Sequence, residues 1–162
     1  MRYAYPCLIE RDLEENRATA REAYVITFRD VPEAISGGWS WDEALEMAQD
    51  CLDVALSFYF DDGQDLPTPS PLRAGEVMIS TTPTVAAKLA LYAAMRAQGV
   101  TAAHLGEQLG LDEEATQKLL NPLHGSHITT VRRALTVVGR ELVVEDCAVA
   151  PPPEAVTAGS ES

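Results

Sequence analysis

Positive charge is scarce in this chain. Twelve Lys and Arg stand against 25 Asp and Glu, and the formal net charge is −13 over 162 residues. A protein that grips nucleic acid over its whole surface needs the opposite balance, so any such contact is confined to part of the chain. Cysteine is scarce too. Cys7, Cys51 and Cys147 are odd in number and far apart, which excludes a disulfide scaffold and a CxxC zinc site and leads us to expect a reducing cytoplasm. Long apolar runs are missing. The best stretch, residues 85–95, contains Lys88 and falls short of the roughly 18–20 residues that cross a bilayer. The first residues carry no signal-peptide apolar block. What is present suffices for a core: 46% of residues are apolar and 23% charged, a globular balance for one domain or two small ones.

The acidity is uneven. Residues 1–70 hold 5 Lys or Arg against 15 Asp or Glu, residues 71–145 hold 7 against 7, and residues 146–162 hold none against 3. The first part repels nucleic acid and attracts a basic partner, with on-rates that fall as salt rises. Solubility alone is the other reading of such acidity.

Along the chain, Tyr3, Tyr5, Cys7 and Ile9 alternate as in a strand, and Pro6 predicts an edge position because proline cannot donate to a ladder. Residues 10–22 are charged and poor in bulky apolar groups, and read as a loop. Tyr24-Val25-Ile26-Thr27-Phe28 is a strand by composition. Asp30-Val31-Pro32 makes a turn, and Ala34-Ile35-Ser36 a short third strand before Gly37-Gly38. Ser40-Trp41-Asp42-Glu43 has capping-box spacing, with Trp39 and Trp41 as a staple around the helix start. Ala44, Leu45, Ala48, Cys51, Leu52, Ala55, Leu56 and Tyr59 follow at helical spacing, with Asp42, Glu43, Glu46, Asp50 and Asp53 mostly off that stripe. Prolines make residues 66–72 extended, and Val77-Met78-Ile79 reads as a further strand.

From Pro83 the pattern is helical. Thr82 caps, Val85, Leu89, Tyr92 and Met95 form a face, and Gly99 ends it. Thr101 opens a short helix to Leu109; Gly110 and Leu111 turn the chain; Asp112 opens another to Leu120. A last helix runs from Thr129 to Gly139, Leu142-Val143-Val144 is a candidate terminal strand, and residues 148–162 read as a disordered tail. The order of elements gives an α+β domain over residues 1–80 followed by an all-α domain over 83–145.

Two helices of about eight residues around a glycine turn have the shape of a DNA-binding helix-turn-helix. Ala103, Leu105, Ala115, Leu119 and Leu120 would form its inner core. Glu113, Glu114, Thr116, Gln117 and Lys118 would face outward, where Thr and Gln can bond base edges and Glu can accept from cytosine. His124, Ser126, His127, Thr129, Arg132 and Arg133 would meet phosphates. A helical packing module without DNA is the alternative, and the adjacent Glu113 and Glu114 oppose a polyanion.

Catalytic chemistry finds little support. Asp30, Asp42, Asp61, Asp62 and Asp65 do not fall into a two-metal pattern. Residues 61–65 resemble a calcium loop only in part, because Leu72 stands where the twelfth-position glutamate belongs. The histidines form no zinc set, and there is no phosphate-cradling glycine motif.

Taken together, Met1-Arg2-Tyr3, the run from Tyr24 through Phe28-Arg29-Asp30-Val31-Pro32-Glu33-Ala34, Gly38, and Asp42-Glu43-Ala44 resemble the start of a HicB-type antitoxin. Phe58-Tyr59-Phe60-Asp61-Asp62, Pro67-Thr68-Pro69-Ser70-Pro71-Leu72, Ala86-Ala87-Lys88-Leu89 and Ala134-Leu135 to Gly139-Arg140-Glu141-Leu142 continue the likeness over about residues 1–145. The resemblance implies a partial RNase H-like first domain without nuclease activity. That domain would cover the catalytic histidine of a HicA-type toxin, a small basic ribonuclease. The second domain would bind operator DNA of its own operon, as a homodimer or a dimer of dimers, without a cofactor or metal. The expected toxin contacts are Asp12, Glu14, Glu15, Asp30 and Glu33. The expected DNA contacts are Glu113, Thr116, Gln117, Lys118, His124, Ser126, His127 and Arg132. A stand-alone DNA-binding regulator whose first domain senses another ligand is the alternative. Two features depart from the family pattern: the length of the 10–22 segment, and the acidic Asp112-Glu113-Glu114.

Overall fold

The computed structural model describes residues 3–12 and 23–152. Among these lie β1 (Ala4–Arg11), β2 (Tyr24–Phe28), β3 (Ile35–Gly38), α1 (Trp41–Asp61), β4 (Glu76–Ser80), α2 (Pro83–Gln98), α3 (Ala102–Leu109), α4 (Glu113–Leu120) and α5 (Ile128–Val137). The class is mixed α+β, as expected. The strands form one antiparallel sheet in the order β3-β2-β1-β4.

β1 is therefore internal, contrary to the edge position that Pro6 suggests. The ladder explains why. In an antiparallel strand, successive residues direct their N–H and C=O to alternate neighbours. Asp12 N–H donates to Ala23 C=O at 2.8 Å and Thr81 N–H donates to Tyr3 C=O at 3.0 Å, so even-numbered residues of β1 face β2 and odd-numbered ones face β4. Pro6 faces β2, one residue beyond the Cys7–Phe28 pair where that ladder ends. Its missing donor falls where no acceptor waits. β1 also continues through Glu10 and Arg11, paired with Val25 and Tyr24, so the first two residues of the expected loop are strand; residues 13–22 of it lie outside the described residues.

α1 starts as its capping box dictates. Ser40 Oγ accepts from Glu43 N–H at 3.2 Å, and the Glu43 carboxylate accepts from Trp39 N–H at 2.7 Å. Gly38 lets this first turn sit against β3: a Cβ there would lie 2.8 Å from Ala44 N. Ala48, Leu52 and Leu56 are fully buried against Tyr5, Cys7, Ile26 and Phe28 of the sheet. Each large apolar side chain so buried contributes about 1.5–3 kcal/mol. Trp41 belongs to this core, stacked edge-on to Tyr24 with centroids 5.9 Å apart, while Trp39 is exposed. The two tryptophans do not act as a pair.

Asp53 is the main departure in α1. It is buried, not on the solvated face. Its carboxylate accepts from the Thr82 hydroxyl at 2.7 Å and from Thr82 N–H at 3.2 Å. Thr82 is the N-cap residue of α2, but its hydroxyl donates to Asp53 instead of capping its own helix. Asp53 thus ties the middle of α1 to the start of α2. Replacing Asp53 with Ala is expected to lower stability by about 2 kcal/mol, through the N–H and hydroxyl left without their charged acceptor; urea unfolding of the variant checks it.

A second core contains Leu91, Leu105, Leu119, Val131 and Leu135. α2 serves both: Val85 and Leu89 belong to the first, Ala87, Leu91, Ala94 and Met95 to the second. The end of α1 is fastened to α2 as well. Tyr92 Oη donates to Gln64 C=O at 2.7 Å, Arg96 pairs with Asp65 at 2.9 Å, and Phe60 meets Tyr92 edge-on at 5.3 Å. Residues 142–144 form no strand. With Val143 and Val144 exposed, the segment has no partner strand to pair with among the described residues. Of the expected disordered tail, residues 148–152 are described: Ala150 packs on the first core and its carbonyl accepts from Trp41 Nε1 at 3.1 Å. Residues 153–162 lie outside the described residues.

Candidate functional sites

Among the described residues, Asp12 and Asp30 of the expected acidic contacts do not converge. Asp12 and Asp30 lie beyond opposite ends of the β1–β2 pairing, at least roughly 15 Å apart along the strand rise of about 3.3 Å per residue. Glu14 and Glu15 are outside the described residues. The Asp30 carboxylate is turned inward on its own loop, accepting from Ser70 N–H at 2.7 Å and Ser70 Oγ at 2.6 Å, with Arg29 3.5 Å away. Burial works to raise its pKa, but the Ser70 hydrogen bonds and the Arg29 charge carry it below the ordinary value. Asp30 therefore anchors the proline-rich segment through Ser70, instead of standing as a solvated loop charge.

Arg29 completes that anchor. It pairs with Glu76 at 2.7 Å and reaches the Pro71 carbonyl. The Arg29 hydrogen bond is the main reason that the Glu76 pKa drops to about 2. A carboxylate with a depressed folded pKa stabilises above its unfolded value and loses that contribution as pH falls through the folded one. Stability is thus expected to decline as pH falls from about 4.5, the ordinary glutamate range, toward about 2. Glu76→Gln should flatten that part of the acid-unfolding curve measured by circular dichroism.

Glu33 is different. It is exposed, its carboxylate accepts from Tyr59 Oη at 3.0 Å, and it stands at the rim of a groove of about 310 Å³ between the β3 edge and α1. Ile35, Met47, Val54 and Phe58 line the groove, with Asp50 on its other rim. All four apolar residues are exposed, Phe58 at 51% and Ile35 at 64%. Sequence reasoning missed this surface, although Met47, Cys51, Val54 and Phe58 repeat at helical spacing along the border of the core stripe of α1, with Cys51 packed on the core. Burial pushes the Cys7 thiol up to about 12 and the Cys51 thiol up to about 11, which disfavours the reactive thiolate at these two positions. Among the described residues, no three His, Cys, Asp or Glu come together as a metal site, and no helix is long and apolar enough to cross a membrane.

The second surface is the α3–α4 pair. Thr101 and Asp112 each accept a backbone N–H at the start of their helix, from His104 at 3.2 Å and Ala115 at 2.8 Å. Gly110 turns the chain with φ of 68°. Leu105, Leu119 and Leu120 are buried between the helices and their neighbours as expected, whereas Ala103 is exposed. Thr116 is not on the outward face either. It is 3% exposed, donates to Asp112 C=O at 2.7 Å and packs against Gly106, so it cannot reach a base edge. Glu113, Gln117 and Lys118 do face out, with Lys118 drawn to Glu114 at 2.6 Å. That pair offsets one of the two adjacent acids. His124, His127, Arg132 and Arg133 are exposed, and Ser126 is half-buried.

Sequence reasoning also missed Lys88. It is 1% exposed, and its ammonium donates to the carbonyls of Lys118 at 3.2 Å, Asn121 at 2.9 Å and His124 at 2.5 Å. Burial lowers its pKa to about 8. The only sequence signal was a lysine inside an otherwise apolar helical stretch.

The chain thus joins an acidic sheet-and-helix unit with an apolar groove to a glycine-turned helix pair. Residues 5–90 match the family described as HicB_like antitoxin of bacterial toxin-antitoxin system. The chain is 34% identical over 138 residues to Antitoxin HicB 2 of Photorhabdus laumondii subsp. laumondii, covering 85% of this chain and 92% of that relative. It is 34% identical over 119 residues to Antitoxin HicB of Escherichia coli strain K12 (74% and 86% covered), and 32% identical over 116 residues to Antitoxin HicB of Pseudomonas fluorescens strain Pf0-1 (71% and 80%). The chain belongs to the HicB-like antitoxin family.

Proposed function

We propose that this chain is a non-enzymatic antitoxin that occludes a basic HicA-type ribonuclease with its first 80 residues and represses its own operon through residues 83–145. The observation that carries the first part is the Glu33 and Asp50 rim around the apolar groove, on a unit whose first 80 residues hold 16 acids against 6 bases. An apolar floor supplies contact area, and the acidic rim favours a cationic partner. The four-stranded sheet under one long helix supports the partial RNase H-like reading. A helix pair with a three-residue glycine turn, carrying Glu113, Gln117 and Lys118 outward, supports operator binding by α4 in a major groove. A homodimer or dimer of dimers fits a two-fold operator. Chain division by function and by packing differ, since α2 serves both cores.

The test is an RNA-cleavage assay with a purified HicA-type toxin, titrated with the full chain. Cleavage should stop near equimolar antitoxin, and association should slow as salt rises. Undiminished cleavage at excess chain rejects the neutralisation reading. In parallel, fluorescence anisotropy with the DNA upstream of the chain's own gene should show specific binding, and binding no tighter than to random DNA rejects repression.

A further inference from the structure

We propose that Lys88 is a positioning residue for DNA reading: its ammonium, held by the carbonyls of Lys118, Asn121 and His124, fixes the end of α4 and the following loop against α2. The inference rests on the operator-binding reading above and adds a residue that touches no DNA.

The geometry is complete. An ammonium has three N–H donors, and three main-chain carbonyls receive them. They come from the last turn of α4, from its C-cap Asn121, and from the loop that carries the exposed His124 and His127. The last carbonyls of a helix lack intrahelical partners and carry the negative end of its dipole, so a cation there is doubly suited. All three groups that accept from the ammonium are neutral carbonyls, and burial lowers its pKa.

A buried charge without a counter-ion is costly for stability alone. A neutral side chain would leave three carbonyls unbonded, and the segment would have to find another arrangement. The lysine thus selects one placement of α4 and the 121–124 turn relative to α2. Around it, Lys118 and His124 contribute main chain while their side chains face solvent. Tyr92, one turn along α2, is bonded to Tyr59 and Gln64 carbonyls, and α5 directs Arg132 and Arg133 to solvent. Loss of one proton would leave two N–H donors and a lone pair, so one carbonyl would go unbonded.

The experiment compares wild type, Lys88→Met and Lys88→Arg as full chains. Amide hydrogen exchange is measured for all three, and anisotropy on the DNA upstream of the chain's own gene is recorded from pH 7 to 9.5. In Lys88→Met, exchange should speed up in residues 113–127 while β1 and α1 keep wild-type protection. DNA affinity should fall about tenfold or more, as for a lost set of charge-assisted bonds. Wild-type affinity should decline as pH rises through about 8, whereas Lys88→Met should show no such step, and Lys88→Arg should recover part of the affinity at pH 7. Exchange that speeds up uniformly over both cores, or a wild-type pH step that persists in Lys88→Met, overturns the proposal. If wild type binds no DNA at any pH, the operator reading fails. The exchange pattern then decides alone: local loss in 113–127 upholds the anchoring of α4, and its absence overturns it.

Discussion

Replacing Gly106 with valine is expected to destabilise the α3–α4 pair by about 3 kcal/mol and to abolish operator binding, while binding to a toxin survives. A Cβ on Gly106 would lie 2.6 Å from Thr116 Oγ1 and 3.2 Å from Leu111 C=O. Neither neighbour can retreat cheaply. The Thr116 hydroxyl is engaged with Asp112 C=O at 2.7 Å, and the Leu111 carbonyl belongs to the turn itself. The two helices would be pushed apart at the point that sets their angle. Trimming the opposing side chain should help, so Thr116→Ala in the Gly106→Ala background should cost less than the sum of the two single changes. Such non-additivity is the signature of groups in contact. Thermal unfolding of the four proteins tests it, and strict additivity would show that the predicted contact does not govern the pair.

The second large effect lies in the other unit. Phe58→Arg is expected to weaken binding of a HicA-type toxin by about 3 kcal/mol, a hundredfold or more in dissociation constant. Folding stability should change by no more than about 0.5 kcal/mol, because Phe58 is half-exposed and contributes little to the core. The substitution removes the largest apolar group of the groove and places a cation where we expect a cationic partner. Calorimetric titration of the variant with toxin measures the loss directly. Wild-type affinity in Phe58→Arg would move the toxin surface elsewhere on the unit, such as the open sheet face where Val25 and Met78 are exposed. Because Phe58 and Gly106 lie in different units, each variant should leave the other function intact. A single substitution that removed both functions would mean that the two cores, joined through α2, act as one.

Much of this molecule is legible from residue order alone. The alternation in β1, the β-branched run of β2, the capping box at Ser40, the proline at the start of α2 and the glycine turn at Gly110 each state a local conformation, because each acts within a few residues of itself. The order of those signals also conveys the α+β class and the helix pair. Family likeness was legible in the same way, through short motifs in a fixed succession.

Neighbours distant in sequence decided the rest. Pro6 predicts an edge until the ladder register shows that its missing donor lies past the end of β2. Asp53 and Thr116 look like surface residues by spacing, and only packing reveals that one holds Thr82 and the other fills the space over Gly106. Asp30 looks like a free acid until Ser70 arrives from 40 residues away. Lys88 looks like a break in an apolar face until three carbonyls close around it. Hydrophobic periodicity and caps are properties of a segment, so a sequence carries them. Which buried polar group meets which partner depends on where the chain returns, and that is fixed only when the two cores are assembled.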